Sequence, residues 1–219
     1  MTVDGERAHL GQKIDPSAVQ VEVDGLPLPL APDLASYLVY KPVGTVSTAD
    51  DPQGRPTVVQ LVPATDRVYP AGRLDADSEG LMILTNDGDL TLRVTHPRYG
   101  VRKTYVVLAA GTVEPATLRK LTAGIQLEDG PAKAMATRLL DQSDGRSLVE
   151  VKMGEGRKRI VRRMFDEIGH PVERLVRTAI GPIRDGSLKA GEHRTLTIDE
   201  IRALHAAARE VEDGRDQDT

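Results

Sequence analysis

Leu81-Met82-Ile83-Leu84 is a run of four apolar side chains, closed off by Thr85 and the turn-forming Asn86-Asp87-Gly88. A run this short between turn signals fits a strand, Leu81 to Thr85, covered on both faces. Periodicity alone does not exclude a segment of buried helix. Asx-Gly tolerates the positive φ angles of a tight turn and so stops the strand. The loop before it, from Gly72 to Gly80, carries Asp75, Asp77 and Glu79, three acids in five positions. From composition alone these read as a solvated, charged loop. A calcium loop counted from Asp75 would need Gly at position 6 and Glu at position 12. Gly80 meets the first requirement, but Asn86 stands at the second and Glu79 at position 5, so the spacing excludes it. A pair of carboxylates could also serve glycoside hydrolysis, but nothing in the sequence sets the distance between candidates.

With 219 residues the chain suits one domain or two small ones. It has no cysteine, which excludes disulfides and thiolate metal sites and fits a reducing cytoplasm. No stretch of about 18 or more apolar residues would span a bilayer, and no signal peptide is visible. The reading is of a soluble, intracellular protein. One Phe, five Tyr and no Trp leave Leu, Val, Ile and Ala to build the core. A net charge of −4 argues against a nucleic-acid partner, yet the charge is unevenly spread. Residues 157–163, Arg-Lys-Arg-Ile-Val-Arg-Arg, hold five basic side chains, while 206–219 carry five acids against two arginines.

Taken in order, Met1 to Glu6 is strand-like around an Asp4-Gly5 turn, and Val19, Val21 and Val23 alternate as in a strand. Residues 26–36, with three prolines, read as an extended linker. Tyr37 to Tyr40 is a strand ending at Lys41-Pro42-Val43-Gly44. Residues 51–57 form a loop, and Val58 to Val62 fits either a short helix or a strand. Asp89 to Thr95 is helical, with Leu90 and Val94 on one face and His96-Pro97 ending it. Lys103 onward is a strand carrying Tyr105, which by itself reads as a packing tyrosine. Pro115 to Gly124 is a helix by its start and stop signals. Leu127 to Ala136, around Asp129-Gly130-Pro131, and Ser147 to Met153 read as paired strands. A Gly-rich turn at 154–156 feeds a helix with Ile160, Val161, Met164, Phe165 and Ile168 on its apolar face. Lys158, Arg159, Arg162 and Arg163 then fall largely on its other sides, the usual pattern of a solvated basic face. A strand around Arg194 to Leu196 precedes a helix capped by Asp199, and a charged tail, 206–219, is expected to be disordered. His170, His193 and His205 show no ligand-like spacing, so no metal is assigned.

Three segments carry a resemblance. Gly72-Arg73-Leu74-Asp75, with Ser78-Glu79-Gly80-Leu81 and Leu84-Thr85-Asn86-Asp87-Gly88, resembles the active-site motif of the rRNA pseudouridine synthases that modify small- or large-subunit rRNA. Lys103-Thr104-Tyr105 resembles the Lys-x-Tyr strand start that carries the family's second active-site residue, and Gly154 to Val172 resembles its third motif, with Lys158 and Ile160 where relatives commonly carry Asn and Gln. The resemblance implies an α+β fold, with a large, mainly antiparallel sheet, flanking helices and a central cleft. It implies that Asp75 is the catalytic carboxylate, that Arg162 pairs with it and keeps it ionised, and that Tyr105 stacks on the uracil and moves a proton late in the reaction. It further implies substrate-binding positions at Arg73, Lys41, Leu175, Arg159 and Arg163, with Leu175 packing beneath the base. Lys41 sits in the family's Lys-Pro-x-Gly turn, although Tyr40 replaces a frequent Asn there. A structural or phosphate-facing role for Lys41 stands slightly ahead of the alternative, an ordinary surface lysine.

The implied reaction needs no cofactor and no metal. Its partner would be ribosomal RNA or a pre-ribosomal particle, its place the cytoplasm, with no membrane and a monomeric enzyme. Asp75-x-Asp77-Ser-Glu-Gly-Leu and Leu127-Glu-Asp-Gly look closer to large-subunit (23S) enzymes than to small-subunit (16S) ones. An RNA-binding ribosome assembly factor with an unused pocket is the reading from another class; the occupied positions Asp75, Tyr105 and Arg162 argue against it. By the same resemblance residues 1–25 look like the C-terminal β portion of an S-four-type RNA-binding module, whose basic two-helix half is expected to precede it in a longer chain. The implied organisation is 1–25 module remnant, 26–36 linker, 37–205 catalytic domain and 206–219 tail.

Overall fold

The computed structural model describes residues 1–14, 19–23, 25–28, 34–63, 65 and 67–215, with backbone alone for 23, 26–28 and 209–215. The chain divides into two compact units, Met1–Leu34 and Ala35–Thr219. The first is a four-stranded sheet of β1 (Thr2–Val3), β2 (Glu6–Arg7), β3 (Val21–Val23) and β4 (Leu26–Leu28), in the order β2-β1-β3-β4. Asp4 and Gly5 both take positive φ, 50° and 82°, which is what a tight two-residue hairpin between right-twisted strands requires. Gln20, just before β3, closes the turn, its N–H donating to Asp4 Oδ1 at 2.8 Å. Leu26–Leu28, read from the sequence as the start of a linker, instead pairs with β3: the alternate prolines leave the intervening backbone groups free to bond. The rest of that stretch up to residue 33 lies outside the described residues.

The second unit is organised around β7 (Glu79–Thr85), every residue of which is buried. β5 (Ser36–Lys41) pairs with it antiparallel on one side, and β13 (Val172–Ile180) pairs parallel on the other. The full path is β11-β12-β8-β13-β7-β5-β15, adding β8 (Lys103–Ala110), β11 (Ala136–Ser143), β12 (Arg146–Met153) and β15 (His193–Thr195). Short β6 (Tyr69–Pro70) and β14 (Ile183–Arg184) attach to β7 and β13. This is the α+β architecture expected, with the strand reading of Leu81–Leu84 selected over helix. Leu81 and Ile83 enter a cluster with Leu38, Leu90, Val94, Ile180 and Leu204, while Met82 and Leu84 enter another with Val39, Val58, Val62 and Leu74. Each such side chain contributes about 1.5–3 kcal/mol by leaving water.

Among the described residues four α-helices flank the sheet of the second unit. Asp87, read as a turn residue, is the N-cap of α1 (Gly88–Thr95), accepting from the N–H groups of Asp89 and Leu90. α2 (Pro115–Ala123) and α3 (Ile160–Glu167) cover the β8–β12 half, where Phe165, Val149 and Met153 are wholly buried. α4 (Ile198–Arg215) starts on a reciprocal box in which Thr197, rather than Asp199, is the cap: Glu200 N–H donates to Thr197 Oγ1 at 3.2 Å, and Thr197 N–H to Glu200 Oε2 at 2.9 Å.

Several expectations are corrected here. Of the two alternatives for Val58–Val62 the structure takes the short helix, a 3₁₀ turn at Val58–Leu61. Ser147–Met153 pairs with Ala136–Ser143, a polar edge strand with too few apolar residues to announce itself. Leu127–Ala136 instead forms a separate hairpin of β9 (Ile125–Leu127) and β10 (Gly130–Ala132). Residues 206–215 continue α4, so the charged tail is helical over that length; residues 216–219 lie outside the described residues.

Candidate active site

A cleft of about 500 Å³ opens where loop 71–75, Ser78, the end of α1, β8, the turn before α3 and β13 meet. Asp75, Tyr105, Leu175, Arg73 and Arg159 all line it, so five of the residues singled out from sequence are brought together across more than a hundred positions of chain. Tyr105 reaches the cleft because β8 alternates: Lys103 and Tyr105 face it, and Thr104 between them is buried.

The Asp75 loop is fastened at many points. Gly44 N–H donates to Ala76 O at 2.7 Å. Ser47 Oγ donates to Leu74 O at 2.7 Å and accepts from Leu74 N–H at 3.0 Å. Ser78 N–H closes a turn onto Asp75 O at 3.0 Å. Arg162, 7% exposed, donates through Nη2 to Asp77 O at 2.8 Å and Ser78 Oγ at 3.3 Å, and through Nη1 to Val172 O. Its ion pair is with Asp77, Nε to Oδ2 at 3.4 Å. The pairing of Arg162 with Asp75 implied by the resemblance is therefore replaced here by a grip on the turn that presents Asp75. Arg162 does not line the cleft and is no part of a solvated basic face.

Asp77 and Glu79 are not simply solvated either. Asp77 binds Arg159 at 2.9 Å. Partial burial pushes its carboxyl up, but the Arg159 hydrogen bond and the nearby charges of Arg162 and Arg159 outweigh this and hold it below the usual carboxylate value. Glu79 is buried in β7, accepts from Arg174 Nε at 2.6 Å and from Tyr40 Oη at 3.2 Å. Burial, then the Glu79 charge, raises the Tyr40 phenol. Lys41 is fully buried, not a surface lysine and not in the cleft wall; its ammonium donates to Pro42 O at 3.0 Å. Burial brings its pKa down to about 8, helped by Arg177 and opposed by Asp77, Asp75 and Glu79.

The basic run is largely satisfied by acids of the same chain. Arg157, which lines the cleft, pairs with Glu155 and Asp129, and Arg163, which does not line it, pairs with Asp129 at 2.8 Å. Arg159 precedes α3 in the left-handed region, φ 52°, so 157–159 form a turn at the cleft mouth rather than a helix face.

Two residues escaped the sequence reading. Ser47 stands in a loop with no motif around it. Arg177, 4% exposed, donates to Leu81 O at 2.7 Å and Arg73 O at 3.3 Å, spanning both ends of the Asp75 loop. Its place follows from Gly80: a Cβ there, at φ +111°, would sit 2.3 Å from Arg177 O, so only glycine lets β7 and β13 pair at this point. A glycine within a strand run is the signal that could have announced such an approach. Among the described residues no cluster of His, Cys, Asp and Glu is grouped to hold a metal ion, and no helix is long and apolar enough to cross a membrane.

Residues 36–167 match the family model described as RNA pseudouridylate synthase. The chain belongs to the RNA pseudouridylate synthase family. These enzymes are isomerases that turn uridine into pseudouridine within RNA. An uncharacterised RNA pseudouridine synthase of Mycobacterium leprae is 42% identical over 93% of this chain and 81% of its own length. The ribosomal large subunit pseudouridine synthase B of Bacillus subtilis is 41% identical over 91% of this chain and 82% of its own. A solved pseudouridylate synthase superposes with a TM-score of 0.72 at 32% identity, covering 93% of this chain and 87% of that one.

Proposed function

We propose that this enzyme isomerises one uridine of large-subunit (23S) ribosomal RNA and that Asp75 is its reacting carboxylate. The observation that carries the assignment is the cleft itself, in which Asp75, Tyr105 and Leu175 share one wall system with the basic turn 157–159. The large-subunit target is supported by the name of the Bacillus subtilis relative.

The target base cannot react inside a stack, so it is flipped into the cleft at a cost of a few kcal/mol. Lys158 and Arg159 at the mouth, with Arg73, meet the flanking phosphates. Asp75 then either adds to C1′ or removes the C2′ proton, and the C1′–N1 bond breaks. Leu175 gives the loose uracil an apolar seat while it turns, and Tyr105 stacks on it and takes or returns the proton as C5 joins C1′. Arg162 acts by holding the Asp77–Ser78 turn, which keeps the Asp75 backbone in place. Arg163, turned onto Asp129, and Lys41, buried, serve the scaffold.

Tritium release from uridine labelled at C5, measured on large- and small-subunit transcripts in parallel, tests this. Release from large-subunit RNA, lost in Asp75→Asn, is the expected result. Release from small-subunit RNA alone would move the target, and no release from either would favour an RNA-binding assembly factor. The N-terminal four-stranded sheet is read as the β portion of an S-four-type module, a second contact to the same RNA. Deleting residues 1–33 should weaken RNA binding more than single-turnover chemistry; equal effects would refute it. We place the enzyme in the cytoplasm as a monomer, so light scattering should return a mass near 23.7 kDa.

A further inference from the structure

We propose that Arg177 and Lys103 form a cationic floor under the cleft that stabilises the uracil anion released when the C1′–N1 bond breaks. The inference rests on the isomerase reading above. Both side chains line the cleft with Asp75 and Tyr105. Arg177 is almost wholly buried, takes part in no ion pair among the described residues, and keeps a buried Nη2 without a hydrogen-bond partner. Lys103 has one hydrogen bond described, to Val94 O at 2.7 Å, and the charged group acting on it is Arg177, another cation. Two like charges thus line one pocket and act on each other, and neither takes part in an ion pair among the described residues.

Their structural duties do not require this. Lys103 caps the carbonyl end of α1, and Arg177 ties Leu81 O to Arg73 O, but neutral amide donors could serve the same carbonyls. A buried charge without a counter-ion costs several kcal/mol, and replacing such groups by neutral ones is often stabilising. The missing anion is supplied by the reaction. Whether Asp75 adds to C1′ or takes the C2′ proton, the electron pair of the C1′–N1 bond leaves with the base, and the negative charge spreads over N1, O2 and O4. When C5 bonds to C1′ that charge passes back to the Asp75 carboxylate, whose bond to C1′ breaks or whose borrowed proton returns to C2′; C5 then loses its proton and N1 gains one, so the net change is isomerisation. The two cations transfer no proton. They act through a poorly screened interior, where fixed charges are worth far more than in water and no reorganisation is needed as charge develops.

A leaving-group test separates this from a scaffold role. Fluorine at C5 stabilises the uracil anion by itself. Single-turnover consumption of the target nucleoside would be followed by nuclease digestion and mass spectrometry, on transcripts carrying uridine or 5-fluorouridine. Asp75→Glu, slowed in chemistry with the floor intact, sets the reference ratio of the two rates. Arg177→Gln and Lys103→Gln should each lose about 100-fold on uridine RNA and clearly less on fluorouridine RNA, raising the ratio above that of Asp75→Glu. Lys103→Arg, which keeps the charge, should recover most of the rate. Ratios equal to the reference, or Lys103→Arg no better than Lys103→Gln, would overturn the proposal. If Arg177→Gln does not fold, the Lys103 pair decides. Full activity in Asp75→Asn would sink the Asp75 assignment instead, a separate outcome.

Discussion

Gly80→Ala puts one methyl group at the join between the central strand and β13, where the structure has no room for it. The added Cβ would lie 2.3 Å from Arg177 O, 2.6 Å from Arg177 N and 2.9 Å from Arg177 C, all backbone atoms that no rotamer change can move aside. The backbone at φ +111° adds a strain of about 1–3 kcal/mol for a residue with a side chain. Forcing β7 and β13 apart adds about 1–3 kcal/mol of overpacking. Together these amount to about 2–6 kcal/mol, a large fraction of the 5–15 kcal/mol that holds a typical domain. Urea unfolding followed by circular dichroism would measure it as a lower midpoint with an unchanged slope. Because Arg177 spans Leu81 O and Arg73 O, the variant should also lose single-turnover rate before it loses RNA affinity. A destabilisation below about 1 kcal/mol would mean that the strands are not as closely apposed as described, and the account of how Arg177 reaches the cleft would fail.

Lys103→Met should raise stability at pH 7. Burial and then Arg177 bring the pKa of Lys103 from 10.5 to about 8, a fall worth about 3 kcal/mol at most. Because the unfolded chain holds this proton more tightly, the penalty is complete below pH 8 and is relieved as pH rises to about 10.5. The advantage of the variant should therefore shrink across that window, and a constant advantage in urea titrations would contradict it. Asp77→Asn removes the ion pairs with Arg159 and Arg162 but leaves the carbonyl that Arg162 grips. It should reduce the isomerisation rate by less than about tenfold, whereas Asp75→Asn abolishes it; equal losses would return the catalytic role to the pair. Phe165→Ala, emptying a wholly buried site beneath α3, should cost about 3–5 kcal/mol in denaturant unfolding.

The helix α3 was legible because Ile160, Val161, Met164 and Phe165 repeat at helical spacing and bury themselves as that spacing demands. The polar edge strand β11 was not: six of its eight residues are exposed, so no apolar alternation marks it, and its pairing with β12 alone defines it. Glu79 misled for the opposite reason. A glutamate beside other acids reads as solvated, and its burial depends on Arg174 and Tyr40, 95 and 39 positions away.

What the sequence determined by itself is the local chemistry: an acid-rich loop carrying Asp75, the apolar strand behind it, the strand that bears Tyr105, and an amphipathic helix with basic residues at its start. Each follows from turn residues and periodicities that act over a few positions. The tertiary structure decided which cation meets which acid. Arg162 takes Asp77 rather than Asp75, Arg163 turns to Asp129, and Arg177 reaches the floor of the cleft. The last depends on the parallel register of β7 against β13, about a hundred residues apart, the others on where α3 lies against distant loops, and charge carries no periodicity from which such pairings can be read.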